Sequence, residues 1–246
     1  MTTNPLMPPP EFLADASALG LEFEPGEVEQ LGRFLGMLLE ANKSFNLTAI
    51  TEPTEAWRRH ILDALTLVPV LAGLEGEDEG AELKVIDVGS GGGVPGVPLA
   101  ICLPRVRFVL LDATGKKCEF LRRAAADLGL KNVEVIQGRA ERLGQEHKVH
   151  REMYDAAIAR AVGSLSILSE LCLPLVKVGG VFLAIKGAKA EEELAAAGKA
   201  IKMLGGEHDQ TIVTPTGKIV VVAKVARTVR IYPRADGEPT RVPLGS

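Results

Sequence analysis

Apolar positions recur at helical spacing from Gly26 to Leu39, where Val28, Leu31, Phe34, Leu35, Leu38 and Leu39 share a face, and a second helical stretch runs from about Thr54 to Leu71. From residue 83 onward the period changes. Short apolar runs near 83–88, 106–111, 132–137, 154–159 and 180–185 read as buried strands, with helical stretches near 96–103, 116–128, 163–176 and 190–204 between them. Strands that alternate with helices predict a parallel sheet covered on both faces. The last two runs, 208–214 and 218–225, are joined only by Pro215-Thr216-Gly217. That connection is too short for a parallel crossover, so the pair is expected as an antiparallel hairpin at the sheet edge. The expected class is α/β: a mostly parallel seven-stranded sheet with a terminal antiparallel hairpin and a small N-terminal helical cap. The acidic, glycine-rich Gly73 to Gly80 reads as a linker, which divides the chain into residues 1–80 (extension and cap) and 81–246 (the sheet domain and its tail).

The densest chemical signal is Val85-Ile86-Asp87-Val88-Gly89-Ser90-Gly91-Gly92-Gly93-Val94-Pro95-Gly96, an apolar strand that meets an acidic residue and then alternating glycines. Glycines permit positive φ at a sharp strand-to-helix turn and let a ligand approach the main chain, and the next helix offers unpaired N–H groups. Two registers fit these letters. From Gly91, Gly-x-Gly-x-x-Gly matches a dinucleotide fingerprint; from Asp87, Asp-x-Gly-x-Gly-x-Gly matches the pattern of S-adenosylmethionine-dependent methyltransferases. The second fits better, because Asp87 interrupts the apolar run and Gly89 is the first glycine after it. A glycine-rich turn with no ligand is the plainer alternative.

Composition narrows the class. A chain of 246 residues buries one substantial core. The opening Met1 to Phe12 is polar and proline-rich, without the basic and apolar regions of a signal peptide, and no apolar run approaches membrane-spanning length, so a cytoplasmic protein without a membrane association is expected. Cys102, Cys118 and Cys172 occur singly, which points to neither a disulfide framework nor a metal site. The net charge of −4 is unevenly spread: residues 1–80 hold four Lys/Arg against fourteen Asp/Glu, and residues 81–246 hold 24 against 18. A polyanionic substrate would approach the basic part, although ordinary surface charge accounts for the counts equally well.

Ligands of open parallel sheets bind beyond the carboxyl ends of the strands. After the second strand, Asp112 stands where an acid accepts hydrogen bonds from ribose hydroxyls, or caps the helix near Gly115, and Ala113 and Thr114 line the same place. After the third come Ala140 and Glu141, expected at an adenine, or Glu141 serves only as a first-turn helix acid. After the fourth comes Arg160, available to a methionine carboxylate or to guanine O6, or to a surface ion pair with Asp155 or a neighbour. This strand end carries neither the Asn/Asp-Pro-Pro-aromatic run of amino methyltransferases nor the Pro-Cys of cytosine-C5 enzymes. An acceptor with an exposed lone pair, such as guanine N7, needs no protein nucleophile, and alignment suffices. Lys116, Lys117, Arg122 and Arg123 on one helix and Lys186 after the fifth strand are candidate phosphate contacts, and His60 is placed to reach the site from the cap, each with a solvated or packed alternative.

With these residues in place, the chain resembles the bacterial small-subunit ribosomal RNA guanine-N7 methyltransferases, the glucose-inhibited-division protein B family. The likeness runs from about residue 25 to 244 through Asn46-Leu47-Thr48-Ala49-Ile50, His60-Ile61-Leu62-Asp63-Ala64-Leu65, Asp87 to Pro98, Arg139-Ala140-Glu141, Ala159-Arg160-Ala161-Val162, Lys186-Gly187 and the tail from Tyr232 to Leu244. The resemblance implies a Rossmann-like methyltransferase fold and methylation of a guanine N7 in 16S ribosomal RNA, with the RNA or the 30S subunit as partner of a monomeric protein. It implies a cofactor pocket of Gly89, Val94, Asp112 to Thr114, Ala140, Glu141 and Arg160, to which the loop register adds Gly91. It makes Lys116, Lys117, Arg123, Lys186, His60 and Asn46 the expected RNA contacts. Val94 stands where the family usually has Phe or Leu, Gly92-Gly93 where Gly-Ala-Gly is common, and Ala64 and Ala159 where Ser is common. The competing readings are an NAD(P)-dependent oxidoreductase and a noncatalytic, cofactor-binding ribosome-assembly factor.

Overall fold

The computed structural model describes residues 5–74 and 82–245. Helices α1 (Pro10–Ala18), α2 (Glu27–Asn42) and α3 (Pro53–Ala56) lead into a π-helical turn, Trp57–Leu62, followed by α4 (Asp63–Leu65) and α5 (Val68–Ala72). The sheet region then runs β1 (Lys84–Val88), α6 (Gly96–Cys102), β2 (Arg107–Asp112), α7 (Gly115–Asp127), β3 (Val133–Gln137), α8 (Ala140–Leu143), β4 (Tyr154–Arg160), α9 (Leu165–Cys172), β5 (Val176–Lys186), α10 (Ala190–Met203), β6 (Gly206–Thr214), β7 (Gly217–Lys224) and α11 (Glu238–Arg241). Of the expected linker, residues 75–80 lie outside the described residues.

The seven strands are ordered β3-β2-β1-β4-β5-β7-β6. Strands β1 to β5 pair in parallel, and β7 runs antiparallel to both β5 and β6. The sheet is the expected Rossmann-like one, and its order reverses between β1 and β4, which opens a crevice at their carboxyl ends. One face buries Val85, Phe108, Leu110, Ala156 and Ile158 under the cap, α2, α6 and α7. The other buries Ile86, Val109, Ala157, Phe182 and Val220 under α9, α10 and the tail. Asp87 alternates onto the cap side with Val85.

Two N-terminal elements differ from expectation. No helix is predicted before Gly26, yet Pro10 starts α1 at a position that tolerates a missing N–H. Phe12 and Ala16, one turn apart, are buried there, and Phe12 packs against Trp57 with ring centroids 4.6 Å apart. The predicted helix from Thr54 to Leu71 is interrupted. Asp63 N–H reaches back five residues to the Arg58 carbonyl, and the chain breaks again between Leu65 and Val68.

The tail after β7 is fastened by buried charge. Arg151 donates to the carbonyls of Gly144 (2.6 Å), Tyr232 (2.7 Å), Thr228 (2.7 Å) and Val229 (3.3 Å). Lys224 donates to the carbonyls of Leu173 (2.7 Å) and Leu204 (3.2 Å). Fully buried Glu170 accepts from Arg234 Nε at 2.8 Å and Nη2 at 2.6 Å. Among the described residues no helix is long and apolar enough to cross a membrane.

Candidate active site

The glycine loop leaves β1 at Gly89, whose φ is +76° and where a Cβ would come within 2.6 Å of the Val162 side chain. A side chain is excluded there on both grounds. The loop is folded back onto two carboxylates. Gly96 N–H donates to Asp87 Oδ2 at 3.1 Å, and a Cβ on Gly96 would meet that oxygen at 2.7 Å and Leu110 at 2.3 Å. Ser90 Oγ donates to the Asp87 carbonyl at 2.9 Å. Asp87 is 1% exposed, and burial raises its carboxyl to about 7. Gly91 N–H donates to Asp112 Oδ2 at 3.0 Å and Thr114 N–H to Asp112 Oδ1 at 2.8 Å, with Lys117 Nζ 3.9 Å from the same carboxylate. Each Asp112 oxygen keeps acceptor capacity beyond its one backbone bond.

Arg160, the last residue of β4, faces this loop across the crevice. Its Nη1 donates to the Arg59 carbonyl at 2.6 Å and to Asp63 Oδ2 at 3.1 Å, and its Nη2 lies 3.2 Å from His60 Nδ1. The ion pair with Asp155 considered above does not form: Asp155 is taken by Lys177 and by Lys84 N–H, and Arg160 pairs with the cap instead. Burial, and then the Arg160 charge, lower His60 to about 4, so the ring is neutral near pH 7. Ala161 follows at φ 57°, a left-handed conformation that strains a residue bearing a Cβ.

Gly89, Ser90, Gly91, Gly92, Val94, Asp112, Lys117, Arg160 and His60 all line one cavity of about 300 Å³, closed on the cap side by Leu38, Leu47 and Thr48. Ala113 and Thr114 are exposed at the end of β2 beside it. The remaining expected residues are placed elsewhere. Glu141 is buried, and its Oε1 accepts from Gly237 N–H at 2.8 Å, so the side chain holds the tail, and neither it nor Ala140 lines the cavity. Lys186 is buried and committed to the Gly163 carbonyl (2.6 Å) and Glu193 Oε2 (2.8 Å). Lys116 and Arg123 line a separate, larger cavity of about 600 Å³ between α2 and α7, with Met37, Phe45 and Phe120. Asn46 is exposed in the loop after α2.

Sequence reasoning missed Asn42, whose Oδ1 accepts from Leu47 N–H (2.7 Å) and Thr48 N–H (2.9 Å) and so shapes the loop over the cavity. It also missed Thr216, whose hydroxyl donates to Asp63 Oδ1. The Asn42 cap has a local signal in an Asn just before a helix end, but Thr216 has none. Among the described residues no group of three or more His, Cys, Asp or Glu is placed to hold a metal ion.

Comparison with known proteins agrees with this geometry. Residues 27–220 match the GidB family model, described as rRNA small subunit methyltransferase G. The chain is 40% identical to the ribosomal RNA small subunit methyltransferase G of Ligilactobacillus salivarius, over 97% of this chain and 100% of that one. It is 42% identical to the protein of the same name from Sorangium cellulosum, over 93% of each. In fold it is similar to a SAM-dependent methyltransferase from Aquifex aeolicus, with a TM-score of 0.53 and 16% identity over 76% of this chain and 98% of that one. The chain belongs to the GidB family of rRNA small subunit methyltransferase G proteins.

Proposed function

We propose that the protein transfers a methyl group from S-adenosylmethionine to N7 of a guanine in 16S ribosomal RNA, acting as a cytoplasmic monomer on the RNA or the 30S subunit. The observation that carries this reading is the cavity at the β1/β4 reversal, which joins a glycine loop, an acid with spare acceptor capacity and an arginine with spare donors, and whose lining contains no cysteine. The names of the relatives support the RNA part.

The donor set fits the cofactor. Asp112 accepts from hydroxyls, Arg160 donates to a carboxylate or to guanine O6, and the loop from Gly89 to Val94 presents backbone without side chains in the way. S-adenosylmethionine, when bound, supplies an electrophilic methyl to a purine nitrogen that already carries a lone pair. The protein then needs to orient and to exclude water, not to attack. Neutral His60 adds no positive charge beside a purine that becomes cationic on methylation. Lys117, which lines the cavity, and Lys116 and Arg123, which line the separate groove between α2 and α7, are the proposed phosphate contacts.

Transfer of radiolabelled methyl to unmodified small subunits and to their stripped RNA, followed by nuclease mapping, tests the reading. Label in 7-methylguanosine at one position is expected. Cofactor binding with no label on either substrate would favour the noncatalytic assembly factor.

A further inference from the structure

The partners of Arg160 come from the cap, not from the sheet that carries it. Both hydrogens of Nη1 are used, by the Arg59 carbonyl and by Asp63 Oδ2, and one hydrogen of Nη2 is used by His60 Nδ1. That leaves Nε–H and one Nη2–H without a protein partner among the described residues, on a side chain that lines the cavity. Asp63 is itself braced. Its second oxygen, Oδ1, accepts from the hydroxyl of Thr216 in the β6–β7 turn, 153 residues away in sequence. His60 is held as well: with Nδ1 accepting from Arg160, the ring proton sits on Nε2 and is donated to Thr48 Oγ1 at 2.8 Å. Thr48 Oγ1 also accepts from Ile50 N–H at 3.0 Å. One chain of hydrogen bonds therefore runs from the hairpin turn through Asp63, Arg160 and His60 to the loop over the cavity.

An arginine side chain has much rotamer freedom to lose, and a ligand that meets it already ordered does not bear that loss. We propose that Asp63, braced by Thr216, is a positioning residue that holds the Arg160 guanidinium so that its two remaining donors are presented to the cavity. Asp63 and the β6–β7 turn thereby set ligand affinity without lining the cavity themselves. The inference rests on reading this cavity as the cofactor site.

A double-mutant cycle on the full chain tests it, read by calorimetric titration with S-adenosylhomocysteine. Asp63→Asn keeps the shape and a hydrogen-bonding group; Arg160→Lys keeps a positive charge opposite Asp63. Each alone is expected to weaken binding about tenfold, and the pair to bind no more than about threefold more weakly than Arg160→Lys alone, because contacting residues couple. Thr216→Val should weaken binding about threefold through the same route, with no further loss in the Arg160→Lys background. A merely structural Asp63 would give losses that multiply in the double variant, and this result, or Asp63→Asn binding as tightly as wild type, overturns the positioning role alone. Failure of the wild type to bind S-adenosylhomocysteine would instead remove the cofactor site, and the positioning role with it.

Discussion

Arg151 is buried and Arg160 half-buried, and both join distant segments, yet their hydrogen-bonding inventories differ. Arg151 spends all four Nη hydrogens on main-chain carbonyls, of Gly144, Tyr232, Thr228 and Val229, and binds the tail to the loop before β4. Arg160 is held by the Arg59 carbonyl, Asp63 and His60 and still has two donors to spare beside a cavity. The same contrast runs through their neighbours. Glu170 is closed by a two-pronged contact with Arg234, while Asp112 has one backbone bond on each oxygen and room for more. A buried charge whose capacity is filled by protein is a fastening; one left partly unfilled at a concavity is where chemistry is expected.

Breaking the fastening should produce the largest change. Arg151→Met leaves buried carbonyls without donors, at about 1–3 kcal/mol each, so denaturant unfolding should show a loss of several kcal/mol. Cofactor affinity of the protein that remains folded should stay at the wild-type value; a selective loss of affinity would dissolve the distinction between the two regions.

Next in size is a pH effect at Asp87. Its native carboxyl is raised to about 7 by burial, against an ordinary value of 3.8, so the native state holds a proton that the unfolded state has released in that window. The resulting stabilisation is full below about 3.8 and lost as pH rises through 7. Asp87→Asn cannot titrate, so its Tm relative to wild type should climb between those pH values and level off above them. A difference that does not change with pH would mean that the native carboxyl titrates near its ordinary value. Arg160→Lys comes third, with cofactor binding about tenfold weaker and a small change in Tm, because lysine keeps the charge but loses the planar donor set. An equal fall in stability and affinity would make Arg160 another fastening. The smallest effect is expected of Ala161→Gly. It relieves the positive φ, against the greater freedom of glycine in the unfolded chain, and should raise stability by about 1 kcal/mol, or about 2–4 °C in Tm.

The same contrast explains what could be read in the sequence. The strand-glycine signal and the helix-strand alternation are local, and they placed Gly89, Gly91, Val94, Asp112 and Arg160 around one cavity because each lies at or just past the end of a strand whose order the topology dictates. Partnerships between distant segments leave no such trace. Nothing in the spacing ties Glu141 to Gly237, 96 residues on, or Asp63 to Thr216. Lys186 looked free because its partner Glu193 lies on the next helix, and the turn of α10 decides which of its three first-turn acids reaches back. Helix α1 was hidden by its prolines, although Phe12 and Ala16 already show its buried face. The π-helical turn, which allows Arg58 and Asp63 to bond over five residues, has no sequence signature that separates it from an ordinary helix.

Whether the partly filled charges mark the cofactor site is decided by a crystal structure of the protein with S-adenosylhomocysteine. The ribose hydroxyls should contact Asp112, and the amino-acid end should lie against the Gly89–Val94 loop within reach of Arg160, with the Asp63–Arg160 contact intact. A ligand seated instead in the larger groove between α2 and α7, or one that leaves both Asp112 and Arg160 untouched, would contradict the account.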